Sequence, residues 1–162
     1  RARIRDSFLL CREREAERFP EPRRTQYRSF RLEGIVDAAL NVCVVVDLRP
    51  RGEAVLGASA APEMLRFSAC CAVQNLWLAA RAEGVGVGWV SIYHEPEIRA
   101  ILNLPDHVVP VAYLCLGHVD ALYEAPELEV KGWRARLPLE ELIYAERWGQ
   151  SAPAAAETAV SA

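Results

Sequence analysis

The stretch AVQNLWLAARAEGVGVGWVSIYHEPEIRAILNLPDHVVPVAYLCLGHVD (72–120) decides the fold. Its first part completes a helix predicted over 63–83. Phe67, Cys70, Cys71, Gln74, Leu78 and Ala82 recur there at helical spacing, and nearly every face is apolar. Such a helix is expected to be central and buried on most sides. Gly84 can stop it in the left-handed conformation. VGVGWVSIY (85–93) then reads as a strand carrying two glycines, and Pro96 opens a short helix, PEIRAIL (96–102), at its first turn. NLPDH (103–107) makes a turn into VVPVAYLCLG (108–117), a continuous apolar run that predicts a buried strand.

Outward from this core the signals weaken. Residues 2–19 read as a helix with Ile4, Phe8, Leu9 and Cys11 on its apolar flank, ended by Pro20 and Pro22. Residues 23–33 are polar and basic. LNVCVVVD (40–47) predicts another buried strand, and 48–62, with two prolines and two glycines, an irregular excursion. Residues 119–137 read as irregular and 138–148 as a short helix or extended arm. One domain is expected over 1–149, followed by a disordered Ala-rich tail over 150–162. The two clearest strands are few for a sheet, which suggests that further strands come from upstream or from a partner chain.

Composition excludes several classes. Hydrophobic residues at 52% and charged residues at 25% exclude a disordered chain. No run reaches the roughly 18 apolar residues of a membrane span. The net charge of −3 gives no global attraction to nucleic acid. Positive charge does concentrate at one end: residues 1–36 carry ten Arg against six acids. Interleaved signs in REREAERF make a solvated helix face the simpler reading than a nucleic-acid arm. The five cysteines, Cys11, Cys43, Cys70, Cys71 and Cys115, lack the spacing of a zinc site or a disulfide framework. Four of them sit in apolar runs, where a thiol packs as a small hydrophobe. A reduced, cytoplasmic protein without a metal is expected.

Three segments could carry chemistry. GVGVG (84–88) is not a dinucleotide fingerprint, because its glycines follow a helix and open a strand. They would instead let a flat ligand, or another backbone, approach closely. Ser91 has no adjacent base: a strand would turn it and His94 to opposite faces, so a hydrolytic dyad is disfavoured and a hydrogen-bonding role remains. Arg134 and Arg136 are two apart, sharing one face of an extended arm, and suit either a phosphate or pairing with Glu140 and Glu141.

The run 72–120 resembles nitroreductase-like flavoproteins. YRSFRLEGI (27–35), PEM (62–64), GVGWVSIYHE (86–95) and KGWRARLPLEELI (131–143) resemble more closely the 5,6-dimethylbenzimidazole synthases within that superfamily. The resemblance implies an α+β fold: an α-β-α sandwich around a mixed, largely antiparallel sheet. It implies a homodimer with the flavin at the subunit interface. It also implies a reaction in which reduced flavin mononucleotide (FMN) and molecular oxygen are consumed. The products are 5,6-dimethylbenzimidazole, the lower ligand of vitamin B12, and erythrose 4-phosphate. A separate flavin reductase would supply the reduced FMN. Carried over residue by residue, Ser91 matches the serine beside the isoalloxazine and is the expected catalytic residue. Trp89, Val90 and Ile92 would line the ring, Arg134 and Arg136 would hold the phosphate, and Arg31 would add a flavin contact.

The family also has an R-R-D-V-R segment and an A-P-S-x-G-x-x-Q-P-W segment, both upstream of this region. Neither is found here, and Arg5-Asp6 sits in a different context. The chain is therefore expected to be N-terminally incomplete, the C-terminal two-thirds of the family fold. The alternatives are a nitroreductase or flavin reductase using NAD(P)H, or a non-catalytic flavin-binding remnant.

Overall fold

A computed structural model describes residues 1–49 and 60–150. The chain forms two compact units, Arg1–Leu122 and Tyr123–Ala162. The expected tail from residue 151 and most of the 48–62 excursion lie outside the described residues.

The first unit contains α1 (Ala2–Ala16), α2 (Arg23–Ser29), β1 (Leu40–Asp47), α3 (Met64–Ala82), β2 (Val85–Val90), α4 (Glu95–Leu102) and β3 (Val108–His118). The three strands lie in the order β1-β3-β2, and both pairings are antiparallel. Leu40 opposes Leu116 at one end of β1 and Asp47 opposes Val108 at the other, with a register shift between Val44 and Val45. Val85 pairs with His118 and Val90 with Tyr113. The central position of β3 explains its unbroken apolar run: both of its faces are covered.

Alternation along the strands builds two cores. Ala112 and Leu114 of β3 point to one side, where they meet Val73 of α3, flanked by Val42, Val44, Val87, Trp89 and Leu116. Tyr113 and Cys115 point to the other and pack with Ile4 and Phe8 of α1, Ile35, Val90, and Ile98 of α4. Helices thus cover both sides of an antiparallel sheet, the expected α-β-α sandwich.

Local chemistry accounts for most boundaries. Gly84 ends α3 at φ 74°, the left-handed value for which glycine has no Cβ penalty. Pro96 sits in the first turn of α4. Asn103 closes α4 at φ 52°, and the Leu104 amide donates to the Arg99 carbonyl at 2.9 Å. Two elements depart from expectation. The polar 23–33 segment contains a helix, α2. Tyr27 is buried there, its ring 5.1 Å from that of Phe19, and its hydroxyl donates to Glu15 at 2.6 Å. Arg12 ties α1 to the end of α2 by donating to the carbonyls of Arg28 and Phe30. The second departure is α3, of which only Val73 is fully buried. Met64, Leu65, Phe67 and Leu78 are exposed, because the sheet covers one narrow stripe of a helix that is apolar nearly all round.

In the second unit, the segment expected to be irregular contains a four-residue helix, α5 (Glu127–Val130). A 3₁₀ turn follows at Leu139–Leu142, within the stretch expected to be a short helix or arm. Tyr144 and Trp148 bring their rings to 4.7 Å.

Candidate functional site

The segment between Gly84 and α4 is built on an edge strand. Because β2 pairs only with β3 in the described sheet, its outward N–H and C=O groups carry no ladder bonds there. The two strand glycines differ in environment. A Cβ on Gly86 would lie 2.5 Å from Cγ1 of Val119 and 3.3 Å from the Gly117 carbonyl. Gly86 is therefore glycine for packing within the sheet. A Cβ on Gly88 would meet nothing closer than the Cys115 carbonyl at 4.0 Å, and Gly88 is exposed. A flat molecule can reach the backbone at Gly88, which is the property a planar ring requires.

The strand ends at Val90, short of the 85–93 expected from sequence. Trp89 packs on the α3 side of the sheet and Val90 on the α1 and α4 side, so their side chains face opposite ways. Ser91 follows, exposed and outside the strand. Its carbonyl accepts the Tyr93 amide at 3.1 Å, which folds the chain tightly towards α4. Ile92 and Tyr93 turn inward onto the cluster beneath α1 and α4. Burial, reinforced by Cys43 and Glu95, raises the Tyr93 phenol above its ordinary range and keeps it neutral. His94 lies 3.9 Å from Glu97 across the first turn of α4. Its backbone amide donates to the Ser7 hydroxyl at 3.3 Å.

Ser7 is a residue that the sequence reading passed over. At 3% exposure it is the single buried polar side chain among the described residues. The signal was present, since Ser7 lies three residues after Ile4 and directly before Phe8, on the flank already identified as apolar. A cleft of about 350 Å³ between α1 and α4 is lined by Arg3, Asp6, Ser7, Leu10, Glu97 and Ile101, and includes no residue of β2.

The cationic candidates belong to different units. Arg31 is exposed and donates to Asp37 at 2.6 Å. Arg134 and Arg136 belong to the second unit, where both are exposed. Arg136 lies 3.7 Å from Glu129, an exposed pair with little hold on the guanidinium. The anticipated partners Glu140 and Glu141 are not the ones it uses. Lys131 pairs with Glu127 one helical turn back. Among the described residues no cluster of His, Cys, Asp and Glu could hold a metal ion, and no helix is long and apolar enough to cross a membrane.

The chain matches known proteins along this same region. It is 39% identical over 135 residues to a 5,6-dimethylbenzimidazole synthase of Rhodospirillum rubrum, covering 83% of this chain and 64% of that protein. It is 32% identical over 140 residues to a 5,6-dimethylbenzimidazole synthase of Rhodobacter capsulatus, covering 86% of this chain and 68% of the relative. The chain thus spans just under two thirds of the R. rubrum protein's length. Among solved structures, a nitroreductase-like family protein of Bacillus cereus aligns over 89% of this chain and 66% of its own. Its TM-score is 0.55 at 19% identity, a likeness of fold alone. The model of the nitroreductase family matches residues 1–118, which takes in both cores, the edge strand and the Ser91 turn. With the sandwich, the open edge at Gly88 and these matches together, the chain belongs to the nitroreductase family.

Proposed function

We propose that this chain carries the flavin-facing part of a 5,6-dimethylbenzimidazole synthase. Reduced FMN and molecular oxygen are its substrates, and 5,6-dimethylbenzimidazole and erythrose 4-phosphate its products. The observation that carries the reading is the exposed Ser91 one residue beyond an edge strand left open at Gly88, in a chain with two synthase relatives above 30% identity. FMN is the substrate whose carbon skeleton is broken, and a separate flavin reductase delivers it reduced. The protein works in the cytoplasm.

Each residue has a distinct task. The backbone at Gly88 admits the ring at close range. Ser91 donates a hydrogen bond to the ring from an exposed hydroxyl, for which no side-chain hydrogen bond is seen among the described residues. Trp89 and Val90 hold the strand from its two faces, so their contribution to the ring is made through the backbone between them. Ile92 anchors the turn in the apolar cluster. Arg134 and Arg136 hold the phosphate by charge-assisted hydrogen bonds, and Arg31, steadied by Asp37, adds a flavin contact. The exposed apolar face of α3 supports a homodimer, the flavin lying where two copies meet.

The test supplies chemically reduced FMN and oxygen and quantifies 5,6-dimethylbenzimidazole by mass. Product is expected from the native protein. Ser91→Ala should retain FMN and lose product by about tenfold or more, the scale of one transition-state hydrogen bond. Flavin that is merely reoxidised by the native protein, with turnover driven by NAD(P)H, would replace this reading with that of a nitroreductase. Gly88→Ala should leave stability within about 1 kcal/mol, since alanine is no worse than glycine in a strand, yet weaken FMN binding severalfold. Unaltered FMN affinity in that variant would remove the ring from the β2 edge.

A further inference from the structure

We propose that Ser7 is a positioning residue for Ser91. This rests on the reading of Ser91 as the hydrogen-bond donor to the flavin. Ser7 lies in α1 between Ile4 and Phe8, two fully buried members of the core. A hydroxyl in such a place is costly unless it is bonded. Its bond accepts the backbone amide of His94, 87 residues away, at 3.3 Å. That amide belongs to the residue that caps α4 and stands three positions after Ser91.

The turn between β2 and α4 is therefore held at three points. Val90 is 2% exposed and pairs with Tyr113 in the sheet. The Tyr93 amide donates to the Ser91 carbonyl, and Ile92 packs on the cluster below. The His94 amide is fixed by Ser7. Of Val90, Ser91, Ile92 and Tyr93, Ser91 alone is exposed, on a backbone whose far end, at His94, would be released if the Ser7 hydroxyl were lost. Reactive side chains keep their aim when neighbouring hydrogen bonds lock the backbone that bears them. Alanine in place of Ser7 would fill the site as well as any small residue, so packing alone does not explain a hydroxyl there.

The test uses the full chain and four variants: Ser7→Ala, Ser7→Thr, Ser91→Ala and the Ser7→Ala/Ser91→Ala double. Amide hydrogen exchange at His94 should accelerate about tenfold in Ser7→Ala and return towards native in Ser7→Thr. The yield of 5,6-dimethylbenzimidazole per reduced FMN oxidised should fall about three- to tenfold in Ser7→Ala, with FMN affinity within twofold of native and partial recovery in Ser7→Thr. The double variant should lose no more product than Ser91→Ala alone, the non-additivity of one residue acting through another. A Ser7→Ala protein that melts earlier but keeps native product yield overturns the inference, as does unchanged exchange at His94. If Ser91→Ala itself retains full product, the reading of Ser91 falls and this inference with it. If only Ser7→Ala retains product, the Ser91 reading stands and Ser7 is structural. Should Ser7→Ala fail to fold, Ser7→Cys takes its place, a near-isostere with a poorer acceptor, and is judged on the same two readouts.

Discussion

Helices α1 and α3 cover opposite faces of one sheet, and they invert what their compositions suggest. α1 carries seven charged residues in fifteen, yet Ile4, Ser7, Phe8 and Ala16 are buried. α3 carries two in nineteen, yet Val73 alone is buried. Phe67 remains 51% exposed and Leu78 60%. The difference lies in what opposes each helix. α1 is matched by α4 and the Leu32–Ile35 segment as well as by the sheet, so a few well-spaced apolar side chains are enough. Among the described elements α3 packs on the sheet alone, and its remaining apolar surface is larger than a solvated helix needs. Burial is a property of the surface a helix meets rather than of its own average polarity.

The largest test of that contrast is a matched pair of truncations. Phe8→Ala should cost about 3–5 kcal/mol, the usual loss for a fully buried aromatic. Phe67→Ala should cost under about 1 kcal/mol in urea unfolding of the dilute, monomeric protein. Equal losses would break the comparison. Next in size is the α3 face itself. Placing charges there with Phe67→Glu and Leu78→Arg should weaken self-association at least tenfold in sedimentation, about 1.4 kcal/mol, while leaving the subunit folded. Unchanged association would remove α3 as the seat of a second copy.

The smallest effect sharpens the α1 side. Burial, then the Glu15 hydrogen bond, raises the Tyr27 phenol well above its ordinary value. A group whose folded pKa is raised adds stability that is fully present below its unfolded pKa and is lost as pH rises towards the folded one. Tyr27→Phe should therefore cost about 1 kcal/mol near neutrality, the worth of one hydrogen bond. The gap to native should narrow above a pH of about 10, where the unfolded phenol ionises. A gap that stays constant through that range would mean that the Tyr27–Glu15 contact does not couple α2 to α1.

Much of the core was legible because its signals are local. β1 was read at Leu40–Asp47 from its valine run, and α3 within a residue at each end from its spacing and Gly84. Pro96 announced α4. The segment α2 was not legible, since its stability comes from Tyr27 reaching across to Glu15 and Phe19 rather than from any amphipathic period. The end of β2 was overread because SIY continues the apolar pattern, whereas the chain turns at Ser91 to let α4 begin.

The same division runs through the candidate site. Residue type singled out the two strand glycines, and the family resemblance singled out Ser91. Residue type could not separate Gly86, pressed against Val119, from Gly88, open to solvent, because that difference depends on what the next segment of chain places beside each. Nor could it join Ser7 to His94 or turn Trp89 and Val90 to opposite faces. By itself the sequence determined where β1 and β3 run, the bounds of α3, the start of α4 and the family resemblance, since propensity, capping and motif are written in neighbouring residues. Only the tertiary structure decided which apolar faces are covered, which glycine is free and which hydroxyl is buried, because those are set by atoms distant along the chain.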